Sequence, residues 1–184
     1  MQTQDVVQMR TARLFLRTLT EADADIVKNL WSDEFKTTEA ALEHIRWINN
    51  RAYENRLVFN LYIWVTQLNV CIGRVYIHAK PELNGEVEIG YGISEAYRNN
   101  GYTTEAAKAL VQYAFEKAGQ DALAAIVKPE NIASRRVLEK LGFVYRNNRM
   151  VTDDDGVDRE FRYYQLPRSD WQLGSSSAPN RPTH

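Results

Sequence analysis

Residues 86–119 constrain the fold more than any other stretch. EVEIGYGI alternates in period two, RNNGYTT follows four residues later, and EAAKALVQYAFEKAG then switches to a helical period. In a strand, Val87, Ile89, Tyr91 and Ile93 point one way and Glu86, Glu88, Gly90 and Gly92 the other, so one face is core and the other is expected to be acidic and bare. Ala107, Leu110, Val111, Ala114 and Ala118 fall on one helical face, which would pack on the sheet, and Gly119 is placed to end the helix.

The same reading extends along the chain. RLFLR (13–17) predicts a half-buried strand, and Thr20 is an N-cap candidate for a helix over EADADIVKNLW. A second helix is expected from Thr38 to about Tyr53, with Ala41, Ile45, Ile48 and Ala52 on one face. Leu57 to Ala79 reads as two antiparallel strands around a turn at Gln67 to Asn69. LAAIV (123–127) is a short buried strand, Pro129 is expected to open a helix through NIASRRVLEKL, and Gly142 to close it. FVYRNNRMV and FRYYQL then form a last hairpin around DDDG. The order is β-α-α-β-β-β-α-β-α-β-β, an α+β (mixed α/β) arrangement.

The 184 residues suit one domain, taken as 8–172, and the Gly-, Ser- and Pro-rich tail 173–184 is expected to be disordered. A formal net charge of -1, with the basic residues scattered, argues against a nucleic-acid partner. No apolar run approaches the ~18 residues that span a bilayer and no leader is visible, so no membrane partner and a cytoplasmic location are expected. The lone Cys71 excludes an internal disulfide. With only His44, His78 and His184 beside it, no metal site is expected.

RNNGYTT lies where an anion can bind. A helix N-terminus presents backbone N–H groups without intrahelical partners and about half a positive charge. Gly101 lets the backbone approach a ligand, Arg98 adds a cation, and Asn99 and Asn100 tolerate unusual turn dihedrals. Neither the P-loop spelling nor the three-glycine dinucleotide fingerprint is present.

EIGYGI, then RNNGYTTEAAKAL, then after about 25 residues NIASRRVLEKLGF together resemble the signature motifs of the GNAT acetyltransferases, over about Arg13 to Leu166. RLFLR, EIGYGI and SRRVLEKLGF resemble most the RimJ/RimL branch, which acetylates protein N-termini. The resemblance implies a mixed, mostly antiparallel sheet of six to seven strands flanked by about four helices. Its fourth and fifth strands splay apart to hold the pantetheine arm of acetyl-CoA. It implies that the backbone from Tyr91 to Ile93 pairs with pantetheine and that Arg98, Asn99, Asn100, Gly101, Tyr102 and Thr103 surround the pyrophosphate. Asn131 would contact the cofactor's arm. Thr103 departs from the family pattern, where Gly or Ala is usual.

The implied reaction joins an acetyl group to a primary amine, which must be neutral when it attacks. Glu88 borders the gap and could take the proton directly or through water; the competing reading is a salt-bridged surface acid. The family's usual acid, a tyrosine seven residues after the asparagine, is here Leu138. Ser134 resembles the serine of the N-terminal acetyltransferase branch and could donate to the sulfur; Tyr91, Tyr97 and Tyr102 are neighbouring phenols. Cys71 reads as an inert buried thiol, which favours direct transfer in a ternary complex. His44 reads as helix surface and His78 as a strand residue. The acceptor stays open between a protein N-terminus and a small amine such as an aminoglycoside, amino sugar, polyamine or amino acid. A non-catalytic acyl-CoA-binding module is the other class. Glu34, Glu39, Asp153, Asp154 and Asp155 are candidates to attract a cationic amine, and Tyr163, Tyr164 and Trp171 to line a homodimer contact.

Overall fold

The computed structural model describes residues 7–32, 34–54, 59–153 and 155–171. Its strands are β1 (Gln8–Arg10), β2 (Leu14–Arg17), β3 (Phe59–Val65), β4 (Val70–Lys80), β5 (Glu86–Ile93), β6 (Ala122–Val127), β7 (Val144–Thr152) and β8 (Asp158–Pro167). Its helices are α1 (Ala24–Leu30), α2 (Thr38–Glu54), α3 (Tyr102–Glu116) and α4 (Ile132–Lys140). The eight described strands make a sheet in the order β1-β2-β3-β4-β5-β6-β8-β7, antiparallel at every step except β5 to β6. The strand beyond the expected count is β1. Three residues paired edge-on to β2 carry too little alternation to be read in advance.

The predicted apolar faces are buried. Ala107, Leu110, Val111 and Ala114 of α3 are fully covered, together with Ala106 and Phe115, against Leu16, Ile63, Val75, Ile77 and Ile89 of the sheet. Burying a leucine such as Leu110 contributes about 2 kcal/mol by area, and its truncation would cost about 2–5 kcal/mol. The helix ends at Glu116, three residues before Gly119. On the opposite face Ala24 and Val27 of α1 and Ala41 and Ile45 of α2 cover Tyr62 and Trp64. Ala52, expected on the same face of α2, lies outside the residues whose side chains are described. A third cluster, of Leu83, Ala124, Val151, Phe161 and Tyr163, fills that second face under the terminal hairpin.

Local chemistry accounts for the helix starts. Thr20 does precede a helical segment, first a 3-10 turn over Glu21–Asp23 and then α1. The Asp23 carboxylate accepts from the Thr20 N–H at 2.8 Å and its hydroxyl at 2.9 Å, and pairs with Arg17 at 2.7 Å. Helix α4 begins at Ile132 rather than Pro129, because the Asn131 side chain caps it by accepting from the Ser134 N–H at 3.0 Å.

Two expectations about surfaces are corrected. The second face of β5 is not bare: Glu88 is only 6% exposed, and Glu86 pairs with Arg149 at 3.1 Å and accepts from the Tyr163 hydroxyl. Tyr163 and Tyr164 are 3% and 2% exposed, so they are core residues and do not line a contact between copies. Trp171 packs on Phe115. Residues 172–184 and Asp154 lie outside the described residues.

Candidate active site

The sheet opens where its one parallel pair meets. Strands β5 and β6 share a single paired position, Glu88 with Ala124. On the other side β5 stays paired to β4 as far as Gly73 with Ile93. Past Glu88, five residues of β5 therefore run about 17 Å with no strand against their outer edge among the described residues. Across this gap the Tyr91 hydroxyl reaches α4, donating to the Ser134 carbonyl at 3.1 Å while lying 3.0 Å from the Ser134 hydroxyl, which is left as the donor of that second bond. Burial pushes the Tyr91 phenol up to about 12, against the opposing effect of the Ser134 hydrogen bond.

The loop before α3 has the backbone expected of an anion site. Asn99 has φ 64° and Gly101, the N-cap, has φ 77° and ψ 1°. Asparagine and glycine are the residues that occupy this left-handed region at least cost. Asn100 does something else: its amide donates to the carbonyls of Tyr97 at 3.2 Å and Arg98 at 2.9 Å and locks the turn. Arg98 is mostly exposed, 4.0 Å from Glu95.

Arg13, read from the sequence only as a strand residue, fastens this loop from the far side. Its guanidinium donates to the Asn100 carbonyl at 3.0 Å, pairs with Glu105 at 2.7 Å and stacks 4.6 Å over the Tyr102 ring. Glu105 also accepts from the Thr11 hydroxyl and the Arg13 N–H. Burial works against its charge, but these bonds outweigh it and hold the carboxyl below its usual value.

On the other face of the same strands lies an open cleft of about 340 Å³, lined by Glu34, His44, Trp47, Ile48, Asn60, Arg74, Tyr76, His78, Lys80 and Glu88. Register explains the lining. Arg74 sits opposite Gly92, Tyr76 opposite Gly90 and His78 opposite Glu88, so the even-numbered residues of β4 and β5 share one face. The Tyr76 ring lies over Gly90, where a Cβ would come within 2.2 Å of it, and stacks on His78. Both His78 Nε2 and Lys80 Nζ lie 3.4 Å from one Glu88 oxygen. A face expected to be acidic thus carries three basic residues.

A splayed pair of strands beside a glycine-capped helix is the arrangement implied by the sequence resemblance, and residues 13–144 match the family described as acetyltransferase (GNAT) domain. The chain belongs to the GNAT acetyltransferase family. Among its relatives, the N-acetyltransferase YoaA of Bacillus subtilis is 27% identical over 164 residues, covering 84% of this chain and 88% of YoaA. The N-acetyltransferase p20 of Bacillus licheniformis is 29% identical over 143 residues, covering 72% and 80%. Neither is characterised. The fold is shared with the ribosomal-protein-S5-alanine acetyltransferase of Vibrio fischeri (TM-score 0.75, 18% identity, 90% of this chain and 98% of that one). It is also shared with Mycobacterium smegmatis RimJ in complex with CoA-disulfide (TM-score 0.74, 17% identity, 89% and 87%).

Within this GNAT domain the residues singled out from the sequence form two groups. Arg98, Asn99, Asn100, Gly101, Tyr102 and Thr103 form the loop and first turn of α3, and Tyr91, Ile93, Asn131 and Ser134 border the gap. Glu88 stands at the point where the gap begins and lines the cleft behind it. Leu138, at the position where the family usually has tyrosine, is 1% exposed in the main core. The Cys71 thiol is pushed up to about 12 by burial, which suits an inert side chain. Asp153 and Asp155 are held in ion pairs by Lys128 and Arg159, and of the acids named as candidates to attract a cationic amine, Glu34 is the one among the described residues that lines the cleft. Among the described residues no group of His, Cys, Asp and Glu is arranged to hold a metal, and no helix is long and apolar enough to cross a membrane.

Proposed function

We propose that this acetyltransferase moves acetyl from acetyl-CoA to a primary amine by direct attack in a ternary complex, with a protein N-terminus as acceptor. The observation that carries the reading is the parting of β5 from β6 after Glu88, between a glycine-capped helix N-terminus and a polar cleft. Gly92, where a Cβ would meet nothing within 4 Å, fits a ligand laid along this edge. In this reading Tyr91 to Ile93 offer backbone groups to the pantetheine amides, and Asn131 borders the arm. The N–H groups from Arg98 to Thr103 receive the pyrophosphate. Acetyl-CoA supplies an acyl carbon activated by its thioester. The acceptor assignment is supported by the ribosomal-protein-S5-alanine acetyltransferase among the structures that share the fold.

Two protons leave the nitrogen as its bond to the acyl carbon forms and the carbon–sulfur bond breaks. Glu88 takes the first from the ammonium, directly or through water, and passes it to solvent; the second ends on the sulfur. The Tyr91 and Ser134 hydroxyls border the gap, and in this reading they turn from the hydrogen bonds they make in the free protein to donate to that sulfur. A phenol near 12 would lose its proton to a thiolate near 8.5 only at a cost of about 5 kcal/mol. The pair therefore steadies the sulfur by hydrogen bonding and does not itself stay ionised.

The test is release of free thiol from acetyl-CoA with and without a panel of amines and N-terminal peptides. Amine-dependent release is expected, and Glu88→Gln should lower it by about 10²–10⁴-fold while acetyl-CoA binding persists. Clear binding with no amine-dependent release would refute the enzyme reading and favour a non-catalytic acyl-CoA module.

A further inference from the structure

We infer that the cleft selects an amine that carries an anionic group, and that Arg74 is the residue that holds the anion. The inference rests on the cleft being the acceptor side of the proposed reaction, and it names the acceptor's chemistry.

Arg74 occupies the middle of the ladder Tyr62, Arg74, Gly92 on the cleft face of β3, β4 and β5. Opposite it, Gly92 contributes no side chain, and the space above Gly92 is open. The guanidinium is flanked by aromatic rings, 5.1 Å from the centre of Trp31 and 5.8 Å from that of Tyr76. Such stacking orients the planar fork and leaves its edge N–H groups for an anion. Among the described residues no carboxylate forms an ion pair with it. Glu34 is the acid that shares its end of the cleft, and Glu34 is exposed, where solvent screens its charge.

A polar atom of the same cleft is also short of a partner. His44 Nε2 is buried without a hydrogen-bond partner, and the buried Tyr62 hydroxyl has the Arg74 guanidinium as its polar neighbour. Burial and then the Arg74 charge hold the His44 imidazole below its usual value, which leaves the guanidinium as the cation there. A half-buried cation with no carboxylate paired to it among the described residues is a costly arrangement in the free protein, and an anionic ligand would relieve it.

Distance sets the size of the acceptor. From guanidinium to the Tyr76 ring is 5.8 Å, and from that ring to His78, beside Glu88, is 5.4 Å. The Arg74 guanidinium and the His78 imidazole are therefore no farther apart than those two steps together, which sets the scale of the acceptor. Two extended residues reach about 7 Å. An acidic side chain next to a peptide's N-terminus fits, as does a small amino-carboxylate.

Two arms separate those sources. One uses acetyl-CoA with peptides identical except for Glu, Gln or Lys at the second residue; the other uses free amino acids and their amides. In either arm the anionic member is expected to have the higher kcat/KM, by about 10–100-fold in the order of a charge-assisted hydrogen bond. Arg74→Gln should bring that ratio close to one and Arg74→Lys should restore part of it, with melting curves confirming that both fold. The acetylated products, Ac-Ser-Glu and Ac-Ser-Gln peptides, are titrated by calorimetry in parallel, so that selectivity is read even without turnover. Equal ratios for acidic and neutral ligands, or a preference that survives in Arg74→Gln, would overturn the inference. Turnover of neutral and acidic amines alike would overturn it while leaving the proposed function standing. Failure of all amines to release thiol would sink the function, and the product titration would still decide the role of Arg74.

Discussion

Replacing Gly101 by aspartate tests the anion loop most directly, because the structure separates its cost to folding from its cost to binding. A Cβ at this position would meet only Arg13, at 3.5 Å, an ordinary contact. The remaining folding cost is the left-handed backbone at φ 77°, about 1 kcal/mol for a residue as tolerant as aspartate. The new carboxylate would stand at the helix N-terminus beside the Arg13 guanidinium, in the space proposed for the pyrophosphate. Repulsion between it and a doubly charged pyrophosphate some 5 Å away is on the order of 3 kcal/mol at an effective dielectric constant of about 40, or over a hundredfold in Kd. Wild-type protein at ~100 times its Kd of acetyl-CoA gains about 2.7 kcal/mol, a rise in Tm of roughly 5–10 °C for a chain of this size. Thermal unfolding with and without acetyl-CoA measures it. Gly101→Asp should melt within a few degrees of wild type without ligand and show no ligand shift, and Gly101→Asn, with the same shape and no charge, should keep most of the shift. An aspartate variant that retains the full shift would show that the pyrophosphate does not sit at this loop.

Two further outcomes follow, one from the loop's anchor and one from a buried carboxylate elsewhere in the fold. Arg13→Ala removes the contacts to Asn100, Glu105 and Tyr102 together, and calorimetry should show acetyl-CoA binding about 10-fold weaker with little change in amine selectivity. Asp23 gives a pH signature: burial opposes its charge, but Arg17 and Thr20 outweigh burial and lower its folded value. The stability it adds is present above the unfolded value near 3.9 and lost as pH falls through the lower folded one. Urea midpoints should therefore drop below about pH 4, and Asp23→Asn should cost about 2 kcal/mol at pH 7 and flatten that drop.

The loop and gap proposed to hold acetyl-CoA were legible in the sequence because their signals are local. EVEIGYGI carries its own alternation, α3 carries its own apolar stripe, and a glycine at the junction needs no distant partner to adopt φ 77°. Asn131 is local too, since its capping bond reaches only to Ser134. The misplaced start of α4 has the same origin. Proline at a first helical position and asparagine at a cap are both good signals, and the side-chain cap prevailed.

The cleft was not legible, because it is written across strands. Alternation along β4 puts Arg74, Tyr76, His78 and Lys80 on one face, but only the pairing to β5 shows that Glu88 meets His78 and that two glycines leave room above Tyr76 and Arg74. Register depends on turn lengths and on the shift between Ile63 and Trp64, neither of which is written in a strand's own residues. The same physics turned Glu88 from an expected surface acid into a 6% exposed one: the partners that compensate its burial, His78 and Lys80, sit on the neighbouring strand. Glycine on one strand and aromatic or basic side chains on its neighbour are two halves of one device. Gly90 accommodates the Tyr76 ring, that ring stacks on the His78 imidazole, and the imidazole lies against the carboxylate at the start of the gap. A change at Gly90 would therefore reach Glu88 through two intervening rings, although the two residues are neighbours on the same strand.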